Sequence, residues 1–156
     1  TYMDRFAATM IARGPTFTSD ETLTGSVHIL DLPDATAARA FAFEEPGYQA
    51  GAYRDVLLRR WRNTLGRTMW DFGDGRPDRN RYLVLGFCEP TTADIDLPDG
   101  NELIACGPLL SDDGAAVLGA AVLLETASAG DAQQTLSPAR FAAIEVHQWD
   151  FGGRPT

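Results

Sequence analysis

Two histidines are the side chains of this chain that titrate nearest to neutral pH, so acid/base chemistry would be built around one of them. His28 lies within the apolar run 26–30, and His147 lies near the end of another, on the same side as Glu145. A histidine in such a run either packs in the core with satisfied nitrogens or lines a cavity. In the second case, His28 acts as an acid or base and Asp20 orients it.

Aspartates follow each of the two Gly-Pro pairs of the chain. Asp20 follows Gly14-Pro15, and Asp112 and Asp113 follow Gly107-Pro108. A turn aspartate commonly binds nearby backbone amides, which would make these residues structural. Alternatively, enclosure would raise the pKa of a carboxyl enough for it to serve as a general base. Asp20, His28 and Asp112 are therefore the candidate catalytic residues.

The most basic segment, residues 54–67, contains five arginines and offers binding groups for an anionic substrate. A guanidinium can bind a carboxylate or phosphate through two parallel hydrogen bonds, but the same charges also suit a solvated strand edge. Tyrosine hydroxyls can donate to a ligand carbonyl. The candidate substrate-binding residues are Arg59, Tyr48, Tyr53 and His147.

The sequence contains no motif for metal or cofactor chemistry. It lacks HExxH, GxSxG, a Cys–His arrangement and a Gly-rich phosphate loop. Cys88 and Cys106 lie in apolar runs and form no CxxC pair, which predicts buried free thiols rather than a zinc site. We therefore expect neither a metal nor another cofactor.

The net charge of −9 argues against nucleic acid and anionic membranes as partners. No apolar stretch approaches the ~20 residues of a membrane span, and no charged-then-apolar signal opens the chain. All 13 basic residues are arginine, which is typical of a GC-rich bacterial genome. We expect a cytoplasmic protein, monomeric or homodimeric, whose partner is a small-molecule ligand.

The pattern of apolar residues predicts alternating helices and strands on both sides of a linker at 73–81. Met3, Phe6 and Met10 have helical spacing, which Gly14-Pro15 would end. The first half, residues 1–72, should contain a helix over 2–13, a turn over 16–24, a strand over 25–32, a helix over 35–43 capped by Asp34, a helical turn over 48–53 and a strand over 54–61. The second half, residues 82–156, should contain a strand over 82–88, a loop over 89–102, apolar segments over 103–106 and 115–125, a turn over 111–114, a helix over 129–136 and a strand over 141–149.

The two halves align as an internal repeat. The Gly-Pro pairs recur with an offset of 93 residues, and Trp61 and Trp149 end corresponding strands with an offset of 88. This order predicts an α+β fold in which two tandem ferredoxin-like repeats pack as a pseudo-dimeric α+β barrel. The first strand of the first repeat is absent from the pattern, so either it precedes residue 1 or the fold lacks it. A ligand pocket would lie between the two sheets.

These motifs resemble the YCII-related family of the dimeric α+β barrel group. The resemblance is carried by Gly14, Pro15, Asp20, Gly25, Ser26, Glu45, Pro46, Ala50, Gly51, Tyr53 and Val56, and more thinly by the segment GPLLSDDG at 107–114. The family implies a His–Asp pair, whose Asp corresponds to Asp20 and to Asp112 or Asp113. Its His has no counterpart here: it would fall just before Thr1 in the first half, and 89–96 contains none in the second.

Two functions follow from these observations. The first is a cofactor-independent enzyme, of isomerase, lactone hydrolase or lyase type, that uses acid/base catalysis on a small organic molecule. The second is a non-catalytic protein that binds a small ligand or a partner and has lost the family histidine. The surroundings of His28 distinguish them, because a catalytic His28 must face a ligand rather than packed core.

Overall fold

The computed structural model describes residues 2–49, 56–72 and 79–152. A short 3₁₀ helix, Met3–Phe6, precedes the first strand. The elements that follow are β1 (Met10–Phe17), β2 (Leu23–Leu30), α1 (Ala35–Glu44), α2 (Pro46–Gln49), β3 (Arg60–Trp61), α3 (Met69–Phe72), β4 (Asn80–Thr91), β5 (Leu103–Leu110), β6 (Val117–Thr126), α4 (Ala129–Gln133) and β7 (Ala143–Trp149).

One antiparallel sheet of seven strands, in the order β2-β1-β7-β4-β6-β5-β3, makes this an α+β fold. Among the described residues the strands are joined in one sheet, and the predicted pairing of two sheets stays a prediction. In the second half the strands lie in the order β7-β4-β6-β5, which is compatible with the ferredoxin-like arrangement. Because β1 pairs with β7 and β3 pairs with β5, strands of the first half extend both edges of the second.

The segment predicted as a helix over 2–13 is helical only as far as Phe6, and Met10 begins β1. Burial alternates along β1, with Met10, Ala12 and the other even-numbered residues buried, so a period of two prevails over the helical spacing. Gly14-Pro15 therefore lies inside a strand rather than ending a helix. The carbonyl of Pro15 faces Asp150 rather than β2. Since the nitrogen and the carbonyl of a strand residue point to the same side, the missing N–H of Pro15 costs the β1–β2 ladder no hydrogen bond.

The second Gly-Pro pair lies inside β5 in the same way, and the two hairpins have the same register. In the β1–β2 hairpin Gly14 pairs with Val27. In the β5–β6 hairpin Gly107 pairs with Ala121. Gly107 follows Gly14 by 93 residues, and Ala121 follows Val27 by 94 residues. The next two pairs along each hairpin keep these offsets. Corresponding residues of the two hairpins can therefore be compared directly.

Each Gly-Pro pair is covered by a chain segment from the other half of the protein. The N–H of Asp150 donates to the carbonyl of Pro15, and the N–H of Arg62 donates to that of Pro108, both at 3.3 Å. Two residues after Asp150 and Arg62, the N–H of Gly152 donates to the carbonyl of Arg13 at 2.9 Å, and the N–H of Thr64 donates to the carbonyl of Cys106 at 3.0 Å. The two crossings are thus equivalent and reciprocal.

Only Arg60–Trp61 of the strand predicted over 54–61 is formed; 56–59 is irregular, and 50–55 lies outside the described residues. β7, which ends in Trp149 as β3 ends in Trp61, is seven residues long and pairs with β4 throughout. β3 has no such neighbour on its outer side in the described sheet. A strand segment without a partner leaves its backbone groups to water, which explains the early end of β3.

The sheet curls until its two edges approach each other. In a flat sheet, β2 and β3 would lie about 29 Å apart, at about 4.8 Å per strand. Yet Arg39 of α1, the helix whose Phe41 contacts His28 of β2, forms an ion pair of 2.9 Å with Asp112. Arg60 of β3 donates to the carbonyl of the same residue at 3.1 Å. Asp112 therefore joins the two ends of the sheet.

The sheet has a covered face and a concave face. On the covered face, α4 and Phe141 pack against Tyr82, Val84, Cys106 and Val122 in one cluster. On the concave face, Met69 of α3 packs with Leu83, Ile104, Leu123 and Trp149. The helix α3 contacts both β1 and β5, so it fills the space that the curled sheet surrounds.

Most of the remaining elements were predicted correctly. The strands predicted over 25–32, 82–88 and 141–149, the helices over 35–43 and 129–136 and the turn over 111–114 all form, with shifted ends. The carboxylate of Asp34 accepts from the N–H of Ala37 at 2.8 Å, which confirms Asp34 as the N-cap of α1. The linker predicted over 73–81 ends earlier, because Asn80 begins β4; 73–78 lies outside the described residues.

Candidate functional site

Directly opposite each other in the β1–β2 hairpin, His28 and Arg13 lie on the face covered by α1. Their neighbours Ala12, Val27 and Ile29 belong to the concave-face cluster, so alternation directs His28 and Arg13 to the other side of the sheet. The imidazole packs edge-to-face on Phe41 of α1, with the ring centroids 5.6 Å apart. Opposed side chains of this kind have Cβ atoms about 5 Å apart, which places the two groups within reach of one ligand.

The β5–β6 hairpin has an apolar pair at the corresponding position. There Cys106 pairs with Val122, and both side chains have 0% exposure under α4. The same hairpin geometry therefore packs well without a polar group at this place. Because His28 and Arg13 are polar where packing alone favours apolar residues, they are the strongest candidates for a functional role.

Burial lowers the pKa of His28 below its ordinary value of 6.5. The carboxylate of Glu45, just after α1, opposes this shift, and the guanidinium of Arg13 adds to it. The net lowering keeps the imidazole neutral at pH 7, so one of its nitrogens can accept a proton. His28 can therefore act as a base at physiological pH, with one anionic and one cationic neighbour.

An aromatic cluster adjoins His28 on the covered face. Tyr2, Phe6 and Phe41 contact one another, with ring centroids 4.7 to 5.8 Å apart. The hydroxyl of Tyr2 donates to the carbonyl of Phe41 at 2.8 Å, which fixes the chain before β1 to α1. The cluster supplies an apolar wall beside the imidazole.

Asp20 lies in the exposed turn between β1 and β2, and the structure does not bring it to His28. Its carboxylate accepts hydrogen bonds from the hydroxyl of Thr18 and from the N–H of Thr22. These bonds lower its pKa, Thr18 contributing most, whereas a general base near neutrality needs a raised one. Because His28 follows five residues after the start of β2, it lies about 16 Å along the strand from the turn.

Asp113 occupies the equivalent place in the turn between β5 and β6. Its carboxylate accepts from the hydroxyl of Ser111 at 2.7 Å and from the N–H of Ala115 at 3.0 Å. The pKa of Asp113 is lowered, chiefly by the bond from Ser111. The counterpart of Asp20 is thus Asp113 rather than Asp112, and both carboxylates hold turns.

Comparison with known proteins found a family model that matches the first part of the chain. The family model of the YCII-related domain matches residues 1–62, which include the β1–β2 hairpin and α1. Residues 1–62 are thus similar to the YCII-related domain. Neither the search of curated proteins nor the search of solved structures found a match to the chain.

The other predicted site residues that the structure describes lie away from the His28–Arg13 pair. Asp112 is exposed and bound to Arg39, and Arg59 is exposed with its guanidinium donating to the carbonyl of Leu58 at 2.9 Å. Tyr53 lies outside the described residues, and only the backbone of Tyr48, in α2, is described.

His147 forms a pair with Glu145 on the concave side of β7, with 3.2 Å between Nε2 and Oε1. The corresponding residue in the first half is Arg59, which is also polar and exposed. When corresponding positions carry a polar side chain in both halves, contact with solvent is enough to explain the residue type. His147 is therefore a weaker candidate than His28, whose counterpart is buried and apolar.

Both cysteines are free, as predicted, but only Cys106 is buried, whereas Cys88 is half-buried. Burial raises the pKa of the Cys106 thiol to about 11 and also raises that of Cys88. A thiol that stays protonated at pH 7 is a poor nucleophile and a poor metal ligand. In the part of the chain that the structure describes, no three His, Cys, Asp or Glu side chains are grouped to hold a metal ion. No helix of the described residues is long and apolar enough to cross a membrane.

An open groove of about 420 Å³ lies in the second half, between residues 88–95 and 138–142. Its lining includes the apolar side chains of Ile95 and Phe141 and the charged side chains of Asp94 and Arg140. The volume lies within the range of small-molecule sites. The groove could bind a small ligand, and its lining contains no histidine.

The sequence patterns missed Arg13 and Glu45 as site residues. Arg13 was hidden because residues 2–13 were interpreted as one helix. Once Gly14-Pro15 is placed inside a strand, a hairpin centred on the turn at 18–22 pairs Arg13 with His28. The sequence distance between Arg13 and His28 therefore predicts their pairing, but only when residues 10–17 are assigned to a strand.

Proposed function

We propose that this chain is a cofactor-independent acid/base catalyst acting on a small organic acid bound at the His28–Arg13 pair. The observation that supports this most is the contrast between the two hairpins. Arg13 pairs with His28 in the β1–β2 hairpin, and at the same positions of the β5–β6 hairpin Cys106 pairs with Val122. Both Arg13 and His28 are half-buried, and a polar pair that replaces an apolar one in such a place loses hydration on folding. The proposal moves the site from a cavity between sheets to the covered face of β1 and β2.

In this proposal His28 is the general base and Arg13 binds the carboxylate of the substrate. The neutral imidazole takes a proton from a carbon next to a carbonyl group, or from a water that attacks a lactone, and returns it in a later step. Arg13 stays charged at every relevant pH, so it both holds the substrate and stabilises a developing oxyanion. Glu45 stabilises the imidazolium that forms between the two steps.

We infer further that the chain consists of two diverged ferredoxin-like repeats, over 1–72 and 82–156, that form a pseudo-dimeric barrel. The equal hairpin registers, the equivalent turns of Asp20 and Asp113 and the reciprocal crossings over Gly14 and Gly107 support this arrangement. In such a pair, one repeat can keep a site while the other keeps only the packing. A cytoplasmic location in a bacterium belongs to the same proposal.

The test is turnover of small carboxylic substrates by paired histidine variants. Wild type, His28→Gln and His147→Gln are assayed with a panel of enol-lactones and 2-oxo acids. We expect kcat/KM to fall by about 10²- to 10⁴-fold for His28→Gln and to stay unchanged for His147→Gln. Arg13→Met should raise KM more strongly for substrates that carry a carboxylate than for their methyl esters. Turnover by wild type that survives in His28→Gln would overturn the proposal.

A second candidate function is non-catalytic binding of a small ligand. The open groove beside Phe141 favours it, because that groove has the volume of a ligand site and no histidine. In this case wild type would bind a ligand without turnover, and Arg140→Met would weaken that binding whereas His28→Gln would not. The two candidates thus predict opposite responses to the same pair of variants.

A further inference from the structure

Phe41 of α1 packs directly against the imidazole of His28. The two ring centroids lie 5.6 Å apart, and the ring planes are inclined at 63° to each other. Phe41 is itself buried, with an exposure of only 6%. A histidine ring turns broadly about χ2 unless its surroundings restrict it. The Phe41 ring therefore limits the directions in which the two imidazole nitrogens can point.

Two further aromatic residues hold Phe41 in place. Phe6 packs edge-on to it, with the ring planes at 86°. The Tyr2 hydroxyl donates to the carbonyl of Phe41, so Tyr2 holds its backbone while Phe6 holds its ring. The guanidinium of Arg5 lies over both outer rings, 5.3 Å from the centroid of Tyr2 and 5.8 Å from that of Phe6. Phe41 is therefore anchored at its backbone and at its side chain.

The second half has a threonine at the position that corresponds to Phe41. The N-cap of α4, Ser128, follows the N-cap of α1, Asp34, by 94 residues, which is also the offset between β2 and β6. Counting from these caps, Thr135 corresponds to Phe41, and its hydroxyl donates to the carbonyl of Ala132 at 2.7 Å. The aromatic ring therefore occurs in the half that has the histidine, and both are replaced in the half that has the apolar pair.

We propose that Phe41 is a positioning residue for His28, which fixes the plane of the imidazole for proton transfer and is itself held by Tyr2. This inference rests on the proposed function, in which His28 is the general base. Phe41 contributes to the burial that lowers the pKa of His28, and the charged groups that act on the imidazole are those of Glu45 and Arg13. A misplacement of about 1 Å can slow a reaction by about 10²-fold. Loss of the ring should therefore change the pKa of His28 and kcat, and leave substrate binding by Arg13 intact.

The experiment compares Phe41→Leu with Phe43→Leu, a matched control in the same helix at a residue that is 38% exposed. Leucine keeps an apolar side chain and favours a helix, so the fold should persist. We expect Phe41→Leu to lower kcat by about 10- to 100-fold with little change in KM, and Phe43→Leu to change neither. In Phe41→Leu the pKa of His28 measured by NMR should rise towards 6.5, and the acid limb of the kcat/KM profile should move to higher pH with it.

Tyr2→Phe is a second variant, which keeps every ring and removes only the hydrogen bond to the carbonyl of Phe41. It should raise the pKa of His28 by a smaller amount than Phe41→Leu does. The NMR measurement needs no substrate, so a wild type without turnover would refute the proposed function, whereas the pKa of His28 would still decide the role of Phe41. An unchanged pKa of His28 in Phe41→Leu, or in Tyr2→Phe where Phe41→Leu does not fold, would overturn the inference. Equal losses of kcat in Phe41→Leu and Phe43→Leu would also overturn it.

Discussion

The indole of Trp149 lies so close to Gly14 that a Cβ at residue 14 would come within 2.6 Å of its Nε1. The same Cβ would overlap the carbonyl oxygen of Asp150. Gly107 has the equivalent neighbours, because a Cβ there would overlap the carbonyl of Arg62 and lie 2.8 Å from the Trp61 ring. Each half therefore needs a glycine where the strand of the other half crosses it.

Substitution of either glycine by alanine should destabilise the protein. We expect Gly14→Ala and Gly107→Ala each to lower the free energy of unfolding by about 1–3 kcal/mol, since neither crossing backbone can move without losing its hydrogen bonds. Urea denaturation measures this. Gly130→Ala is the control: its Cβ would have no neighbour closer than 3.8 Å, so stability should be unchanged or slightly raised. Similar midpoints for Gly14→Ala and Gly130→Ala would contradict the crossing.

The turns of Asp20 and Asp113 should respond alike to substitution. Both carboxylates have lowered pKa values because of turn hydrogen bonds, so their stabilising effect is present above the ordinary pKa of 3.8 and is lost as pH falls through the folded value. Asp20→Ala and Asp113→Ala should lower the urea midpoint at pH 7 by similar small amounts. The loss should fade as the pH falls below 3.8. If Asp20→Ala lowered kcat/KM by more than its loss of folded protein explains, Asp20 would have a role in the reaction.

The sequence predicted the elements that depend on local patterns. Asp34 before an alanine-rich segment, and the apolar run 82–88, needed only capping and strand propensity to be interpreted correctly. The strand β1 was missed because Met3, Phe6 and Met10 fit a helix, and because Gly-Pro normally ends one. Its strand character comes from pairing with β2 and from the crossing by Asp150, which are contacts distant in sequence.

The candidate site was predicted in part for the same reason. His28 was identified from its residue type, but its neighbours depend on strand register and on the position of α1. Asp20, the aspartate after Gly14-Pro15, was expected to orient it, whereas the structure places Glu45 and Arg13 near it. The comparison with Cys106 and Val122 became possible only once the register of both hairpins was known.

The stability of the protein should decrease in mild acid because of His28. Burial lowers the pKa of His28 below 6.5, so the unfolded state binds more protons than the folded state in the window below that value. The free energy of unfolding should therefore fall as pH drops from about 7 to about 5. His28→Gln should flatten this part of the profile. An equal slope in wild type and His28→Gln would contradict the burial of His28.

Arg81 and Glu125 form an ion pair of 3.3 Å, in which the glutamate side chain is only 3% exposed. Arg81→Met should destabilise the protein by about 3–5 kcal/mol, because the Glu125 carboxylate would stay buried without its cation. The double variant Arg81→Met, Glu125→Leu should recover most of this loss. Asp150→Asn is the control, since the side chain of this second partner of Arg81 is 57% exposed. Equal stability of the single and double variants in guanidinium denaturation would contradict this account.

The most direct test of the proposed site is an NMR titration of the two imidazoles, which are the only histidines of the chain. Wild type, Arg13→Met and His147→Gln are titrated with succinate and with a 2-oxo acid at pH 7. The account predicts saturable shifts of the His28 resonances in wild type and His147→Gln, no shift of His147, and at least tenfold weaker binding to Arg13→Met. Unshifted His28 resonances, or equal shifts of both histidines, would contradict a ligand site at the His28–Arg13 pair.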